Sequence, residues 1–342
     1  MSGVAPYDAL LLVSFGGPEG MADVMPFLDR VLQGRSVPPE RRREVAHHYE
    51  RFAGVSPINA QNRALLEALR AELGARGPRL PLYWGNRNWH PFLVDALRAM
   101  AGDGVKRALA FVTSAYSSYS GCRQYLEDIG RARAEVGPGA PVVDKVRVFH
   151  DHPGFVEANA DRVREALGTL PPARRGAARI AFTAHSIPTT MASGCDYARQ
   201  LRETCALVAA AVPHQRWALV YQSRSGPLQQ PWLEPDILDH LDAIAAEGVA
   251  DVVVAPVGFV SDHMEVIYDL DTEARERAAA LGLGFVRAGT PGSHPAFVRM
   301  VRELVQERVA GGERRALGAG GPRADVCAPD CCASGATRPV TR

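Results

Sequence analysis

The chain has 342 residues, a hydrophobic content of 46% and a formal net charge of +1. This length and hydrophobic content are sufficient for one large or two medium domains with a sizeable core. The near-neutral charge gives no support for a nucleic-acid partner or an anionic membrane surface. No apolar run is long enough for a transmembrane segment, and the first residues lack the pattern of a signal peptide. We therefore expect a cytoplasmic protein whose six cysteines are buried residues or ligands rather than disulfides.

In the first half of the chain, short apolar runs alternate with segments of helical periodicity. The run YDALLLVS predicts a buried strand, and the glycine turn FGGPE that follows it leads into a helix. A strand, a glycine turn and a helix in this order are typical of the start of a doubly wound fold. The sequence predicts strands over 7–14, 80–84, 108–113 and 142–149, and helices over 21–32, 41–52, 59–75, 92–100 and 122–136.

The second half repeats this alternation, with strands predicted over 179–183, 217–221, 252–254 and 284–287, and helices over 153–167, 197–211, 237–247 and 295–309. Strands that alternate with helices in both halves imply two α/β units with parallel sheets flanked by helices. We place the first unit at 1–150, the second at 151–312 and a cysteine-containing tail at 313–342. The last predicted helix either stays with the second unit or packs back on the first. After Ala310 the composition shifts to Gly, Ala, Arg and Pro, which is typical of a mobile tail.

A row of acidic residues follows the third predicted strand of the second half. Glu265, Asp269 and Glu273 recur at i, i+4 and i+8, which places them along one side of a helix with a drift of ~40° per step. Ser261 or Asp262 can cap the start of this helix. Carboxylates at this spacing repel one another and lower helix stability. Two interpretations fit this pattern: a solvated acidic face, or an oxygen-rich track for cations or protons.

Polar loops follow the predicted strands at their carboxyl ends, where ligands bind in open parallel sheets. Six of these loops contain GGPE, GNRNWHP, SAYSSYSG, TAHSIP, YQSRSGP and GFVSDHMEV. Arginines and aromatic side chains together suit a flat ligand with carboxylates, because a guanidinium binds a carboxylate in bidentate fashion and stacks on π faces. We expect one cleft lined by Arg87, Tyr116, Tyr119, His185, Arg224, His263 and Glu265.

Six segments together resemble the ferrochelatase family, from about residue 9 to residue 307: LLLVSFGGPE, GVSPINAQN, GNRNWHPF, TSAYSSYSGCRQY, AHSIP and GFVSDHMEVIYDLD. The pattern looks most like the actinobacterial branch, in which the expected reaction inserts Fe²⁺ into coproporphyrin III to give coproheme on the way to haem. The resemblance implies a monomer of two Rossmann-like domains, each with a parallel four-stranded sheet, and a deep cleft. It also implies that the acidic row is partly π-helical, which brings its carboxylates closer to alignment.

The hypothesis for catalysis places His185 and Glu265 on opposite sides of a distorted tetrapyrrole. Insertion of Fe²⁺ releases two pyrrole protons, and an imidazole with a pKa near ~6.5 can act as a base or bind iron. His185 is the candidate base or metal relay, and Glu265 holds the metal or accepts a proton. Asp269 and Glu273 extend this path to solvent as further metal-binding candidates. Which side delivers iron and which removes protons stays open.

Substrate contacts are expected from Phe15, Arg30, Arg35, Ser56, Arg87, Asn88, Tyr116 and Tyr119. The arginines are candidates for pairing with propionates, because a guanidinium matches the geometry of a carboxylate. One position departs from the firmicute branch of the family, in which a tyrosine at the position of Phe15 contacts the metal. Phenylalanine has no oxygen to donate, so that ligand is absent here.

Three cysteines lie close together in the tail, at Cys327, Cys331 and Cys332. Ligation by four thiolates needs one more cysteine, and Cys122 in SAYSSYSGCRQY is the best candidate. Some ferrochelatases, including actinobacterial ones, carry a 2Fe–2S cluster with one ligand in the core and three near the C-terminus, so the resemblance implies this cofactor. Zinc on four thiolates and a disordered tail with incidental cysteines are the alternatives.

Other functions are compatible with a cleft of this kind. A related enzyme would be a protoporphyrin IX ferrochelatase or a cobalt chelatase. A non-catalytic porphyrin or haem carrier would need the cleft and an axial ligand, but no row of carboxylates. The expected partners are coproporphyrin III and Fe²⁺, with transient contact to neighbouring enzymes of haem synthesis and no nucleic acid.

Overall fold

Two parallel sheets of four strands form the framework of the computed structural model, which describes residues 7–33, 38–226 and 229–334. The first sheet contains β1 (Ala9–Ser14), β2 (Leu82–Asn86), β3 (Arg107–Val112) and β4 (Val142–Lys145), in the order β2-β1-β3-β4. The second contains β5 (Arg179–His185), β6 (Trp217–Gln222), β7 (Asp251–Ala255) and β8 (Gly284–Arg287), in the order β6-β5-β7-β8. The strands pair in parallel, which confirms the predicted fold class.

Helices connect the strands in both halves. In the first half they are α1 (Met21–Val31), α2 (Pro39–Glu50), α3 (Ile58–Arg76), α4 (Leu93–Gly102) and α5 (Gln124–Val136). In the second half they are α6 (Pro153–Thr169), α7 (Pro172–Arg175), α8 (Thr189–Ala192), α9 (Tyr197–Ala211), α10 (Ile237–Ala246), α11 (Met264–Tyr268), α12 (Arg275–Ala280) and α13 (Pro295–Ala310). Two segments are π-helical, π1 (Tyr119–Arg123) before α5 and π2 (Asp269–Ala274) between α11 and α12. Among the described residues, no helix is both long enough and apolar enough to cross a bilayer.

The central strands are covered on both faces. Along β1, Leu10 and Leu12 belong to one hydrophobic cluster, whereas Leu11 and Val13 belong to another on the opposite face. All six residues of this strand are buried. An unbroken apolar run is what a parallel strand between two layers of helices requires, so the pattern read from the sequence has a direct structural cause.

The last helix, α13, packs against α3 of the first half and α6 of the second. Its residue Leu304 is 1% exposed and shares a hydrophobic cluster with Leu69 of α3 and Phe155 of α6. One apolar cluster therefore joins the two halves through the end of the chain.

Strand β4 is shorter than the sequence predicts, because it ends at Lys145 rather than at residue 149. Arg147 turns inward at this point, and its guanidinium forms two hydrogen bonds of 2.8 Å with the carboxylate of Glu307 in α13. Glu307 is 160 positions away in sequence, so the apolar pattern around β4 could not predict this ion pair.

The start of the helix after β7 also differs from the prediction. It begins at Met264 with no hydrogen bond from a capping side chain. Asp262, a predicted cap, instead pairs with Arg287 of β8 at 3.0 Å and accepts a hydrogen bond from Gln61 of α3 at 3.2 Å. The Asp262 side chain therefore links the two halves and does not cap the first turn of the helix.

The described residues after α13 lie against the body of the protein, which contradicts the prediction of a mobile tail. Arg314 binds Asp325 at 2.6 Å, and Arg323 binds Asp196 at 2.5 Å. The backbone N–H of Leu317 donates to the carbonyl of residue 151 at 2.9 Å. These contacts hold a segment whose composition alone resembles that of a linker.

Candidate active site

His185 is the last residue of β5 and lies at the carboxyl end of the second sheet. Its ring Nδ1 contacts the carbonyl oxygen of Ser186. Since a carbonyl only accepts hydrogen bonds, Nδ1 carries the proton of the neutral ring and Nε2 keeps its lone pair. The hydroxyl of Tyr197 donates to the His185 carbonyl at 2.9 Å. The side chain is 32% exposed, so the free nitrogen can meet a ligand.

Glu265 reaches the same point from the first turn of α11. Its Oε2 lies 3.6 Å from Nε2 of His185 and 3.9 Å from Nδ1 of His263. A flat ring between two atoms would need about 7 Å, twice the contact distance of about 3.5 Å. The expectation that Glu265 faces His185 across the ring is therefore wrong, because the gap between the two groups is too narrow for a ring.

The two histidines at Glu265 have opposite protonation preferences. Burial lowers the pKa of His185, but Glu265, the Ser186 carbonyl and Asp269 outweigh it and raise the pKa above its ordinary value. Burial dominates at His263, and its pKa is lowered despite the same carboxylate. Glu265 therefore faces one ring that readily takes a proton and one that stays neutral.

The acidic row lies on one continuous helix made of α11, π2 and α12. The π-helical segment implied by the resemblance is thus confirmed, and its wider turns bring the carboxylates closer to alignment. Burial and the charges of Glu265 and Glu273 raise the pKa of Asp269 to about 7, against a hydrogen bond from Ser223 that lowers it. Glu265 and Glu273 are exposed at the two ends of the row, and Asp269 between them is partly buried.

The sequence did not single out two residues at the end of β6. Gln222 donates its side-chain amide to the Glu265 carbonyl at 3.0 Å and to the Asp269 carboxylate at 3.3 Å. Ser223, in a left-handed backbone conformation with φ 62°, donates its hydroxyl to the same carboxylate. Both residues hold the row in place from the carboxyl end of β6, which pairs with the strand that carries His185. The loop motif YQSRSGP was the available signal.

An aromatic wall made of Phe15, Phe27, Tyr49 and Trp89 packs beside the acidic row. The rings of the other three members each lie 6.2 Å from Phe27 in edge-on contact, and Met264 joins the same cluster. Burial and the charge of Glu265 raise the pKa of Tyr49. Tyr49 thus places a neutral phenol near the carboxylates, in a position that no sequence motif marks.

Two predicted substrate contacts are engaged within the protein. Arg87 forms an ion pair with Asp128, and its guanidinium lies 4.5 Å above the ring of Tyr125. Only 8% of its side chain is exposed. Tyr116 is 2% exposed and donates its hydroxyl to the Val257 carbonyl at 2.8 Å. The structure therefore places Tyr116 between the two halves rather than on a cleft wall.

The other predicted contacts have more varied surroundings. Arg30 is exposed, with its guanidinium 4.2 Å above the ring of Phe92. Asn88 has no partner among the described residues for its side-chain nitrogen, whereas Tyr119 donates to Glu127 at 3.0 Å. Arg224, a further residue of the expected cleft, donates to the carbonyl of residue 230 at 3.2 Å. Ser56 is 3% exposed, and Arg35 lies outside the described residues.

The four cysteines proposed as ligands line one cavity of about 400 Å³. Cys122 lies in π1 and is buried, and the Sγ atoms of Cys331 and Cys332 are 3.5 Å apart. A hydrogen bond from Cys332 and the charge of Lys145 lower the pKa of Cys122 to about 6, although burial opposes this change. The tail therefore brings its thiols to the core thiol that the sequence singled out.

The comparisons with known proteins agree with this architecture. The sequence model of the ferrochelatase family matches residues 7–309.

The chain belongs to the ferrochelatase family.

A ferrochelatase from Rhodopirellula baltica is 56% identical to it over 99% of this chain and 97% of the relative. The coproporphyrin III ferrochelatase of Nocardia farcinica is 54% identical over 95% of this chain and 96% of the relative. The coproporphyrin III ferrochelatase of Streptomyces coelicolor is 52% identical over 98% of this chain and 96% of the relative.

Solved structures show the same fold at low identity. SirB from Bacillus subtilis with Fe³⁺ aligns with a TM-score of 0.55 and 14% identity, over 89% of this chain and 96% of the other. CbiX, a terminal enzyme of sirohaem biosynthesis, aligns with a TM-score of 0.50 and 15% identity, over 87% and 98%. As a ferrochelatase, the protein is an enzyme that inserts iron into a porphyrin, which confirms the reaction class expected from the sequence.

Proposed function

We propose that this ferrochelatase inserts Fe²⁺ into coproporphyrin III and releases coproheme for haem synthesis. The observation that carries the proposal is the pair of His185 Nε2 and Glu265 Oε2, which lie 3.6 Å apart at the first residue of the acidic row. The names of the relatives from Nocardia farcinica and Streptomyces coelicolor support the choice of porphyrin.

The reaction exchanges one Fe²⁺ for two pyrrole protons, so the charge that enters equals the charge that leaves. An imidazole and a carboxylate are ligands that Fe²⁺ accepts, and His185 and Glu265 offer one each. As iron passes into the ring, the same two groups are released and can accept the protons. We infer that metal and protons use one side of the macrocycle, because the 3.6 Å separation of the two groups leaves no room for a ring between them.

Asp269 and Glu273 continue the path from this pair to the surface. Gln222 and Ser223 fix Asp269, so the middle of the path has a defined position. A carrier of porphyrin or haem would have no use for this arrangement, because holding a ring requires only a cleft and an axial ligand.

The macrocycle would lie over the His185–Glu265 pair with its edge near the aromatic wall. We propose Phe15, Asn88 and Arg30 as its contacts, together with Tyr119 and Ser56. Arg30 is exposed, and the side-chain nitrogen of Asn88 lacks a partner among the described residues. Arg87 and Tyr116 are weaker candidates because each is both buried and already paired within the protein, and Arg35 stays a prediction.

Turnover on two porphyrins tests the choice of substrate. We expect a kcat/KM for coproporphyrin III at least about tenfold higher than for protoporphyrin IX, because a propionate in place of a vinyl group adds a charged hydrogen bond worth about 1.5–3 kcal/mol. The measurement is an anaerobic absorbance trace with Fe²⁺. A preference for protoporphyrin IX or for Co²⁺ would favour the alternative chelatases, and tight porphyrin binding without insertion would favour the carrier.

We further propose that Cys122, Cys327, Cys331 and Cys332 hold a 2Fe–2S cluster, which would supply one-electron chemistry that iron insertion itself does not need. Their convergence on one cavity supports this proposal. The Sγ atoms of Cys331 and Cys332 form a close pair at 3.5 Å, and two irons bound by separate pairs of thiolates suit such pairing. Four thiolates also bind zinc, so the ratio of iron to sulfide decides between the two.

Replacement of Cys122 by serine should remove the cluster. We expect loss of the visible absorbance and of equal amounts of iron and acid-labile sulfide from anaerobically purified protein. The matched control is Cys205→Ser, because Cys205 is buried in a hydrophobic cluster of the second half that contains none of the four proposed ligands. A colourless wild-type protein with stoichiometric zinc would contradict the cluster.

The organisation of the chain is also a proposal. We keep units at 1–150 and 151–312 and a tail at 313–342, and the packing of α13 on α3 supports a last helix that returns to the first unit. We propose a cytoplasmic monomer that meets neighbouring enzymes of haem synthesis transiently. Reduced thiols in such a compartment are available for ligation.

A further inference from the structure

A second group of possible metal ligands lies outside the cleft, at the start of the second half. His150 and Asp151 lie between β4 and α6, and Glu203 projects from the middle of α9. Each offers one ligand atom, and these atoms all lie within 4.8 Å of one another. Among the described residues this is the only group of three or more histidine, cysteine, aspartate or glutamate side chains that is so close together.

Glu203 determines which nitrogen of His150 is free. Nε2 of the ring lies 2.9 Å from Oε2 of Glu203. Since a carboxylate only accepts hydrogen bonds, Nε2 carries the proton and Nδ1 keeps a lone pair. This arrangement of carboxylate, imidazole and free nitrogen is the one that surrounds histidine ligands in metalloproteins.

The free nitrogen faces a second acceptor. Nδ1 of His150 and Oδ1 of Asp151 are 3.9 Å apart, and neither has a hydrogen-bond partner among the described residues. The two side chains are 1% and 2% exposed. A direct hydrogen bond does not form at 3.9 Å, so two buried acceptors face each other without a positive group between them.

Within the part of the chain that the structure describes, no arginine or lysine lies within ion-pair distance of the Asp151 carboxylate. Arg147 is close in sequence, but its guanidinium is occupied by Glu307 in a bidentate pair. Buried carboxylates in proteins are paired with cations or coordinate metals. A cation between the two acceptors would satisfy both of them.

We propose that His150 and Asp151 bind a divalent transition-metal ion of the Zn²⁺ and Fe²⁺ class, with Glu203 as the residue that orients the imidazole. Metal–ligand bonds of about 2.1 Å to nitrogen and oxygen span the gap between Nδ1 and Oδ1. A mixed imidazole and carboxylate set favours this class of ion over Ca²⁺ or Mg²⁺, which prefer oxygen ligands. The site shares no residue with the iron-insertion pair or with the four thiols.

The site also contacts the tail. The backbone N–H of Leu317 donates to the Asp151 carbonyl at 2.9 Å. At Gly318, a Cβ would lie 2.5 Å from Oε1 of Glu203 and 2.8 Å from Oδ2 of Asp151, so a larger residue there would displace these carboxylates. An ion that holds these side chains should therefore strengthen the docking of the tail.

Cobalt binding to the full chain tests the site. In equilibrium dialysis with Co²⁺, we expect wild-type protein to retain one ion that the Asp151→Asn variant does not. Glu203→Gln should lower the affinity for this ion about 10- to 100-fold, as is typical for loss of an orienting carboxylate. The spectrum of the retained ion should lack a thiolate-to-cobalt charge-transfer band, because its ligands are nitrogen and oxygen. Bound Co²⁺ should also slow proteolysis of the tail.

Two controls separate this site from the others. His214→Gln removes another buried histidine, whose Nε2 lies 2.8 Å from the Ala178 carbonyl, and should retain the ion. His185→Ala should retain it too, although that variant loses iron insertion, so the two proposals fail separately. Equal cobalt stoichiometry in wild type, Asp151→Asn and Glu203→Gln would overturn the site. Complete loss of Co²⁺ in His185→Ala would also overturn it, and the glutamine variant gives an answer if Asp151→Asn does not fold.

Discussion

Iron insertion should fall by about 10²- to 10⁴-fold in both the His185→Ala and Glu265→Gln variants, the range typical of losing a residue that transfers protons. Nε2 of His185 and Oε2 of Glu265 are 3.6 Å apart, so each substitution leaves the other group without its partner. Glutamine keeps the shape of Glu265 but neither accepts a proton at neutral pH nor carries the charge that attracts Fe²⁺. The measurement is the initial rate of anaerobic metallation with coproporphyrin III.

A matched control lies further along the same helix. Glu276 of α12 pairs with Arg51 at 3.2 Å on the surface, and Glu276→Gln should retain near wild-type rates. Fluorescence titration with the free-base porphyrin should show that all three variants still bind substrate. Near wild-type turnover in both active-site variants would end the assignment of this pair.

Loss of either partner of the Arg147–Glu307 pair should lower the free energy of unfolding by about 3–5 kcal/mol. The two side chains are 0% and 1% exposed and share two hydrogen bonds of 2.8 Å. Arg147 also donates to the carbonyl of residue 315 at 2.7 Å. Arg147→Met leaves the Glu307 carboxylate buried without a positive partner. Glu307→Gln leaves the Arg147 guanidinium buried without a negative partner. Urea unfolding followed by circular dichroism measures the change.

The exposed pair of Arg98 and Glu135 provides the comparison. These side chains are 51% and 59% exposed with an N–O distance of 2.7 Å, so Glu135→Gln should cost no more than about 1 kcal/mol. A double variant, Arg147→Met with Glu307→Leu, should recover part of the loss because no unpaired charge remains. A loss below about 1 kcal/mol in Glu307→Gln would show that the buried pair is not a major contributor to stability.

The strands could be predicted because burial on both faces forces an unbroken apolar run, as at 252–254. The helices could be predicted from their periodicity. The end of β4 could not, since Arg147 leaves the sheet for a partner on α13. The docking of the tail was also hidden, because the ion pair of Arg323 with Asp196 joins segments far apart in sequence.

The candidate pair could be found because His185 and Glu265 each follow a strand, and parallel strands end at one edge of a sheet. The relation between the two side chains could not. Glu265 lies beyond the end of β7, in the first turn of α11, and the conformation of the intervening loop decides how near its carboxylate comes to His185. Gln222 reaches the site from the end of β6, which is the neighbour of β5 in the sheet.

The sequence by itself determined the α/β class, the resemblance to ferrochelatases, and the histidine, carboxylates and thiols that bear chemistry, because burial and turn formation leave local patterns. The tertiary structure alone decided which long side chains are free and which are engaged. Arg87 could bind a propionate in principle, yet it pairs with Asp128 inside the protein, and His150 meets Glu203 only when α9 packs beside it. Such partners depend on strand order and helix packing, and a periodic pattern along the chain predicts neither of them.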